Sequence, residues 1–412
     1  MADDRGPLSV AVDPERRLWT LRAKGAGVGH PVVEGDTVYV SVPGERVAAL
    51  DAGSGRVRWC SREVAEVWPP YVAVAGAVVA VPVRQRQETE RDAFTALDAA
   101  TGRMRWTRRE SALCAVVAVG DSTFVVWNGT PEERGSIAGV DALTGETLWE
   151  DEFERIDGLV VRGERVILGA GRLRALDGRS GDEIWSGGEG ELLRRAGEAV
   201  EDAAVFLCWR GGPYGPKSLV VGASDTGEQL AETRFPREAQ RYRWGHPELV
   251  DGGRALFYGT TGRRVRLLEY AGLDRAEVSE SWKLGWLQRG SFMRVLCVGD
   301  WIYALCWDRR LYVAEVDPRG GLRRLRLRGP YKTTVREPEY LTAGPGYVLA
   351  SGKDGMAVLR DGRVLWASHT IRPEVLPVPL DGDRFLFRAR SRNGKEIRLY
   401  CADVETGRRV LP

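Results

Sequence analysis

Apolar residues in this chain occur in short runs that alternate with polar residues and are divided by glycine-containing turns. Residues 31–41 are an example, because Glu34, Gly35 and Asp36 separate two such runs. Alternation with a period of two is typical of β-strands, and we find no run with the 3.6-residue period of an amphipathic helix. The pattern therefore predicts an all-β chain of short strands joined by tight turns.

One phrase recurs along the chain: a short apolar run that ends in Asp, a Gly four residues later, and a Trp four residues after the Gly. The aspartates of the four clearest copies, spaced by 47, 43 and 36 residues, are Asp51, Asp98, Asp141 and Asp177. Weaker copies lie near residues 223, 317, 361 and 403. The carboxylate can accept backbone N–H groups ahead of it, and Gly allows the positive φ of the reversal. The phrase thus predicts a hairpin, preceded in each copy by two further strands.

The phrase Ala-Leu-Asp-x-x-Thr-Gly-x-x-x-Trp at residues 96–106 resembles the repeat of the PQQ-type β-propellers. That family includes quinoprotein alcohol dehydrogenases and the outer-membrane-barrel assembly lipoprotein. The resemblance implies one closed β-propeller of four-stranded blades over residues 1–412. Counting hairpins predicts nine blades, with eight as the alternative because the family usually has eight. The blades are expected near 28–60, 70–107, 113–150, 157–186, 195–232, 246–283, 292–327, 339–367 and 374–412.

Residues 16–21 have the pattern of the last strand of a blade without the other three. We expect this N-terminal strand to complete the C-terminal blade, which would remove a free sheet edge. The tryptophans of the phrase share one register, in which the resembled family docks the indole between adjacent blades. A structural role is therefore predicted for Trp19, Trp59, Trp106, Trp149, Trp185 and Trp366.

Two histidines share another register, because Gly29-His30-Pro31 parallels Gly245-His246-Pro247. The proline favours an extended conformation for the residue before it. This position is the start of the innermost strand, which in propellers usually lies at the rim of the central channel. Both imidazoles could therefore face the channel mouth. The alternative is a His-Pro turn that recurs only because the repeats share an ancestor.

Aromatic and basic residues occupy the same register in other repeats. They are Trp68, Arg155, Arg194, Tyr242, Arg243, Trp244, Arg289, Arg336 and Arg372. If they line one rim, that rim suits an acidic peptide, a phosphate or a carboxylated ligand. The alternative is an ordinary solvated loop face.

Composition narrows the class of protein. The 412 residues are 43% hydrophobic, and 60 basic residues nearly balance 58 acidic ones, which excludes a disordered chain and a strongly basic nucleic-acid binder. Residues 318–336 carry seven basic residues and no acid, but interleaved leucines indicate an edge strand protected by charge rather than a nucleic-acid site. The chain has no 18-residue apolar run, starts with acidic residues and has six dispersed cysteines. These three features predict a cytoplasmic protein without a membrane span.

Motifs for catalysis are scarce in this sequence. It has three histidines and no Cys-Cys pair, P-loop or metal-ligand motif, so we predict no metal and no cofactor and do not expect PQQ to bind. The favoured function is a non-catalytic scaffold that binds another protein or an acidic peptide, as a monomer or within a complex. One alternative is a lyase or hydrolase that uses His30 and His246. The other is a sensor of an anionic ligand.

Overall fold

The computed structural model describes the chain as β-strands and turns, with no helix in the described residues. The described residues are 8–16, 18–23, 28–42, 46–61, 72–83, 93–109, 113–128, 135–153, 158–170, 172–187, 191–192, 205–212, 215–234, 243–244, 248–250, 254–261, 264–271, 277–283, 292–298, 301–306, 311–317, 321–331, 338–352, 355–368, 373, 377–390 and 397–409. The predicted all-β fold class is confirmed.

The strands are numbered in chain order. The first nineteen are β1 (Leu8–Asp13), β2 (Leu18–Ala23), β3 (Val32–Glu34), β4 (Thr37–Val42), β5 (Arg46–Asp51), β6 (Val57–Ser61), β7 (Ala73–Ala75), β8 (Val78–Val83), β9 (Ala93–Asp98), β10 (Met104–Arg109), β11 (Leu113–Val119), β12 (Thr123–Asn128), β13 (Gly135–Asp141), β14 (Thr147–Phe153), β15 (Gly158–Arg162), β16 (Arg165–Ala170), β17 (Arg172–Asp177), β18 (Glu183–Gly187) and β19 (Glu191–Leu192).

The remaining strands are β20 (Val205–Gly212), β21 (Gly215–Ala223), β22 (Gln229–Arg234), β23 (Arg243–Trp244), β24 (Glu248–Val250), β25 (Arg254–Thr261), β26 (Arg264–Ala271), β27 (Glu277–Lys283), β28 (Phe292–Val298), β29 (Trp301–Cys306), β30 (Leu311–Asp317), β31 (Gly321–Tyr331), β32 (Pro338–Gly344), β33 (Tyr347–Gly352), β34 (Gly355–Arg360), β35 (Arg363–Ser368), β36 (Val378–Pro379), β37 (Arg384–Arg390) and β38 (Ile397–Asp403).

The chain divides into two compact units: residues 1–154, 178–181 and 371–412 in the first, and residues 155–177 and 182–370 in the second. The first unit holds the antiparallel sheets β3–β6, β7–β10 and β11–β14, and a sheet ordered β1-β2-β38-β37-β36 that we call the terminal sheet. The second holds β15–β18, β19–β22, β28–β31 and β32–β35, and a sheet in which β23 and β24 both pair with β25 beside β26 and β27. The nine sheets agree with the nine predicted repeats.

The predicted completion of the C-terminal repeat by the N-terminal strand is confirmed, since β2 pairs with β38 and Thr20 lies opposite Tyr400. The structure adds a strand that the repeat pattern did not predict, because β1 pairs with the outer side of β2. The turn between them is closed by Asp13, whose Oδ1 accepts the Arg16 N–H at 3.3 Å. Sequence reasoning missed β1 because this strand lies outside the four-strand repeat.

The predicted turn chemistry is present in the hairpins of the repeat. Asp51 Oδ1 accepts the Ser54 N–H at 2.8 Å, and Asp98 Oδ1 accepts the Thr101 N–H at 2.8 Å. Gly102, at φ 69°, then adopts the left-handed conformation that a side chain disfavours. The Asp and Gly of the phrase therefore specify the turn locally.

Five of the six repeat tryptophans dock on the turn of the following repeat, as the resemblance implied. Each indole Nε1–H donates to a backbone carbonyl: Trp19 to Ala52 (3.2 Å), Trp59 to Ala99 (2.7 Å), Trp106 to Ala142 (3.0 Å), Trp149 to Gly178 (3.0 Å) and Trp185 to Ser224 (3.1 Å). Trp366 is half-buried in β35, and its docking remains a prediction. Gly362 instead lies against Trp301, where an added Cβ would stand 2.1 Å from the ring.

The basic stretch of residues 318–336 contributes β31, which is the outermost strand of its sheet. The prediction of an edge strand there is confirmed. In the first unit, Leu21 and Leu399 of the terminal sheet share a core with Val38 and Leu50 of β4 and β5. This core holds the terminal sheet against the sheet β3–β6.

Candidate functional site

Most residues of the predicted rim lie outside the described part of the chain. These are Trp68, Arg155, Arg194, Tyr242, His246, Arg289, Arg336 and Arg372. The backbones of Arg243 and Trp244 form β23, which pairs with Thr260 and Gly259 of β25. The rim therefore remains a prediction, and His30 is the member whose side chain can be described.

His30 is positioned by a close approach between two backbone segments. The Gly29 N–H donates to the Ser41 carbonyl at 2.6 Å. A Cβ at residue 29 would stand 1.8 Å from Ser41 Oγ, so this position needs glycine. His30 follows directly, and the buried Pro31 leads into β3. The Gly-His-Pro order thus fixes the imidazole at the end of the sheet where β3 begins.

The environment of His30 keeps its imidazole neutral near pH 7. Burial lowers the pKa of His30, and the positive charge of Arg388 lowers it further. Within the part of the chain that the structure describes, the buried Nδ1 atom has no hydrogen-bond partner. A histidine that acts as a general base is usually oriented by a bond to its second nitrogen. The geometry at Nδ1 therefore gives the lyase or hydrolase hypothesis no support, and its second residue, His246, lies outside the described residues.

Arginines collect at one end of the terminal sheet. Arg22 of β2 lies opposite Arg398 of β38, and Arg388 and Arg390 lie near the same end of β37. We call these four arginines the basic end. Arg390 is exposed, and the other three are half-buried. Strands β2, β37 and β38 therefore bring together arginines that are far apart in the sequence.

The two sides of the basic end differ. Arg388 lies on the same side of β37 as Leu386, which belongs to the core shared with β4 and β5, and this explains its effect on His30. Arg22 and Arg398 lie on the other side with Tyr400. Tyr400 stacks on Phe387, with ring centroids 5.1 Å apart. Arg22 and Arg398 therefore place two guanidinium groups next to each other on this side of the sheet.

The carboxylates that the structure describes in the terminal sheet lie at its other end. Asp403 is opposite Arg384, and about six residues of β37, or about 20 Å, separate this end from Arg390. There the charges are paired, since Arg384 Nη2 lies 2.6 Å from Asp381 Oδ2 and Arg384 Nη1 donates to the Ala52 carbonyl at 3.1 Å. The described carboxylates of the terminal sheet thus lie away from the basic end.

Acidic side chains at the turns of the sheet β3–β6 also form ion pairs with an arginine. Arg58 Nη2 lies 2.7 Å from both Asp36 Oδ2 and Asp51 Oδ2. Hydrogen bonds from Arg58 and then Ser54 hold the pKa of Asp51 at about 2. Asp51 is therefore ionised at neutral pH and serves the turn rather than chemistry.

Sequence reasoning missed the basic end because it examined only the starts of the innermost strands. The available signals were Arg388 and Arg390, two residues apart, and Arg22 just after the first repeat tryptophan. Their proximity depends on the pairing of β2 with β38. Among the described residues, no three His, Cys, Asp or Glu side chains form a group that could hold a metal ion. Nor is any helix there long and apolar enough to cross a membrane.

Comparisons with known proteins support the fold and the repeat. Residues 3–80 and 44–200 match the family described as outer membrane protein assembly factor BamB. A curated relative, the serine/threonine-protein kinase AfsK of Streptomyces griseus, is 33% identical over 295 residues, which cover 69% of this chain and 33% of the kinase. The chain thus spans about a third of the length of that relative.

Two solved structures are similar in fold. Saccharomyces cerevisiae Sqt1 has a TM-score of 0.51 at 10% identity, covering 81% of this chain and 95% of Sqt1. Quinohemoprotein alcohol dehydrogenase ADHIIG from Pseudomonas putida HK5 has a TM-score of 0.50 at 14% identity, covering 93% of this chain and 75% of the enzyme. These likenesses show the fold alone, which is that of a β-propeller. The repeated Asp-Gly-Trp hairpins and the BamB match over residues 3–200 make the chain similar to the PQQ-type β-propeller repeat proteins.

Proposed function

We propose that this chain is a non-catalytic scaffold that binds an acidic segment of a partner protein at the basic end. The observation that carries the proposal is the position of Arg22, Arg388, Arg390 and Arg398 at one end of a sheet whose described acids lie at the other. Guanidinium groups bind carboxylates with paired, charge-assisted hydrogen bonds. The family supports the proposal, because BamB is described as an assembly factor.

The way the sheets are held favours a scaffold. Buried Trp19 of β2 is bonded to the Ala52 carbonyl, and Arg384 reaches the same carbonyl. These contacts fix the terminal sheet against the first repeat before any partner arrives. A preorganised surface loses little conformational entropy on binding, so more of the contact energy appears as affinity.

The expected affinity is modest. Exposed ion pairs contribute about 0–1 kcal/mol each, whereas hydrogen bonds to charged, half-buried groups contribute about 1.5–3 kcal/mol. The two half-buried arginines on one side of the sheet, Arg22 and Arg398, together with the exposed Arg390, would give about 3–7 kcal/mol. This corresponds to dissociation constants from a few millimolar to about 10 µM.

The test uses a fluorescein-labelled peptide of ten glutamates, with binding followed by anisotropy at low salt. We expect Arg390→Gln to weaken binding by about three-fold and Arg398→Gln by about ten-fold. Arg56→Gln is the matched control, because Arg56 is exposed at the opposite end of the neighbouring sheet. If both basic-end variants bind the peptide with the affinity of the wild type, the proposal is refuted.

A second candidate function is sensing of a small anion, which the opposed Arg22 and Arg398 also favour. Inorganic phosphate added to the same assay distinguishes the two. We expect phosphate to displace the peptide only at concentrations that act through ionic strength, as sodium chloride would. Displacement by phosphate well below that range would favour the sensor and refute the scaffold.

A further inference from the structure

Strand β1 is an outer sheet edge that lacks the register shift found in the last strand of each of the other eight described sheets. It pairs with β2 in a regular register from Leu8 opposite Ala23 to Asp13 opposite Leu18. It is the last strand of the terminal sheet, so its other edge pairs with no described strand. Val12 on this strand is 43% exposed, although it is aliphatic. Residues 8–12 therefore form an uncharged edge.

Each of the other eight sheets ends in an outer strand whose pairing is interrupted. A register shift against the inner neighbour occurs in β6, β10, β14, β18, β22, β27, β31 and β35. Bulges of this kind and basic residues are the usual protection of an edge against pairing with another chain. Several of these strands also carry arginines, as β10 does at Arg105 and Arg108. Neither a register shift nor a charged residue occurs in β1 before Asp13.

We propose that β1 pairs antiparallel with β1 of a second copy of this chain. The favoured register places Val10 opposite its own copy and residue 8 opposite residue 12. In this register, Leu8 meets Val12 and Val10 meets its own copy on one side, Ser9 meets the small Ala11 on the other, and residues 8–12 bring no charge to the pair. A register shifted by one would place Val12 opposite Ser9 and Asp13 opposite Leu8. An antiparallel pair of identical strands also has the two-fold symmetry that most homodimers use.

The core beneath β1 favours the same occupant. Val10 is half-buried and packs on the core that contains Leu21 and Leu399. An added strand in the Val10-centred register would bring an identical valine beside it and extend this apolar side of the sheet. An unrelated peptide would have to supply the same pattern and would lose more conformational entropy on ordering, since it starts unfolded.

The dimer should be weak, because two six-residue strands bury less than the roughly 1,000 Å² typical of a stable interface. We expect a dissociation constant on the order of 10–100 µM. Sedimentation velocity on the full chain, from a few micromolar to a few hundred micromolar, should show a monomer at the low end and a dimer at the high end.

Matched variants locate the interface. Val12→Lys places a charge on the edge and should leave a monomer at every concentration, whereas Val12→Thr keeps a β-branched neutral residue and should dimerise. Leu143→Lys is the control, because Leu143 is a 55% exposed aliphatic residue in a turn away from β1. It should dimerise like the wild type, and thermal melts should show that all variants are folded.

Three outcomes would overturn the proposal: a monomeric wild type throughout, a dimer that survives Val12→Lys, or loss of the dimer in Leu143→Lys. None of these involves the basic end, so failure here leaves the scaffold proposal standing. Conversely, variants at Arg390 or Arg398 should dimerise as the wild type does.

Discussion

Substitution of Gly102 by alanine tests whether the glycine of the repeat serves the turn alone or also the docking of the preceding tryptophan. Gly102 has φ 69°, and its N–H donates to the Asp98 carbonyl at 2.8 Å. A Cβ at this position would stand 2.3 Å from Trp59 Cε3. The indole would have to move, and its 2.7 Å hydrogen bond to the Ala99 carbonyl would be lost or weakened.

The cost can be built from three contributions. Holding alanine in the left-handed region costs about 1–2 kcal/mol. Forcing a methyl group into an occupied site costs about 1–3 kcal/mol, and loss of the indole hydrogen bond costs about 1 kcal/mol. We therefore expect Gly102→Ala to lower the free energy of unfolding by about 3–6 kcal/mol. Urea denaturation followed by far-ultraviolet circular dichroism measures it.

Two comparisons separate strain from packing. Gly35→Ala should cost only about 1–2 kcal/mol, because Gly35 has φ 55° but no atom within 4 Å of an added Cβ. In a Trp59→Leu background, Gly102→Ala should likewise cost only the strain, since the smaller side chain leaves room. Equal costs for Gly35→Ala and Gly102→Ala, or no coupling between residues 59 and 102, would refute the docking argument.

Three further predictions concern the first unit. Asp51→Asn should destabilise the chain at pH 7, and the difference should shrink in urea titrations as pH falls from 3.8, the ordinary pKa, through about 2, because the folded-state pKa of Asp51 is depressed. His30→Asn should reduce the loss of stability in acid. Burial lowers the pKa of His30 below 6.5, so the unfolded chain binds more protons than the folded chain as pH falls below 6.5. A profile of stability against pH identical to that of the wild type would contradict this. Removal of residues 1–22 should lower the melting temperature by more than about 10 °C. It takes away the fully buried Trp19 and the strand that pairs with β38. An unchanged melting temperature would contradict the closure of the terminal sheet.

The hairpins were predictable because their chemistry is local. Asp98, Thr101 and Gly102 lie within four residues of one another, so the turn they form follows from the sequence. In the four clear copies of the phrase the tryptophan follows its turn by the same number of residues, as Trp59 does, so the docking of Trp59 could be inferred from the repeat. Trp301 could not be recognised in this way, because it meets Gly362 from a position outside the repeated phrase.

The candidate site was harder to predict than the fold. The rim was sought where the innermost strands begin, and His30 is the residue of that group whose side chain the structure describes. The basic end was missed, although its arginines are plain in the sequence. Arg22 and Arg398 become neighbours only through the pairing of β2 with β38.

By itself, the sequence determined the strand-and-turn repeat and the joining of the N-terminal strand to the last repeat, because alternation and turn residues act over a few positions. It left the number of repeats at nine or eight. The tertiary structure decided which charged residues meet and which edge stays open. Register between distant strands brings Arg22 to Arg398, and the position of β1 outside the repeat leaves Val12 exposed. Such contacts join residues hundreds of positions apart, and no local pattern encodes them.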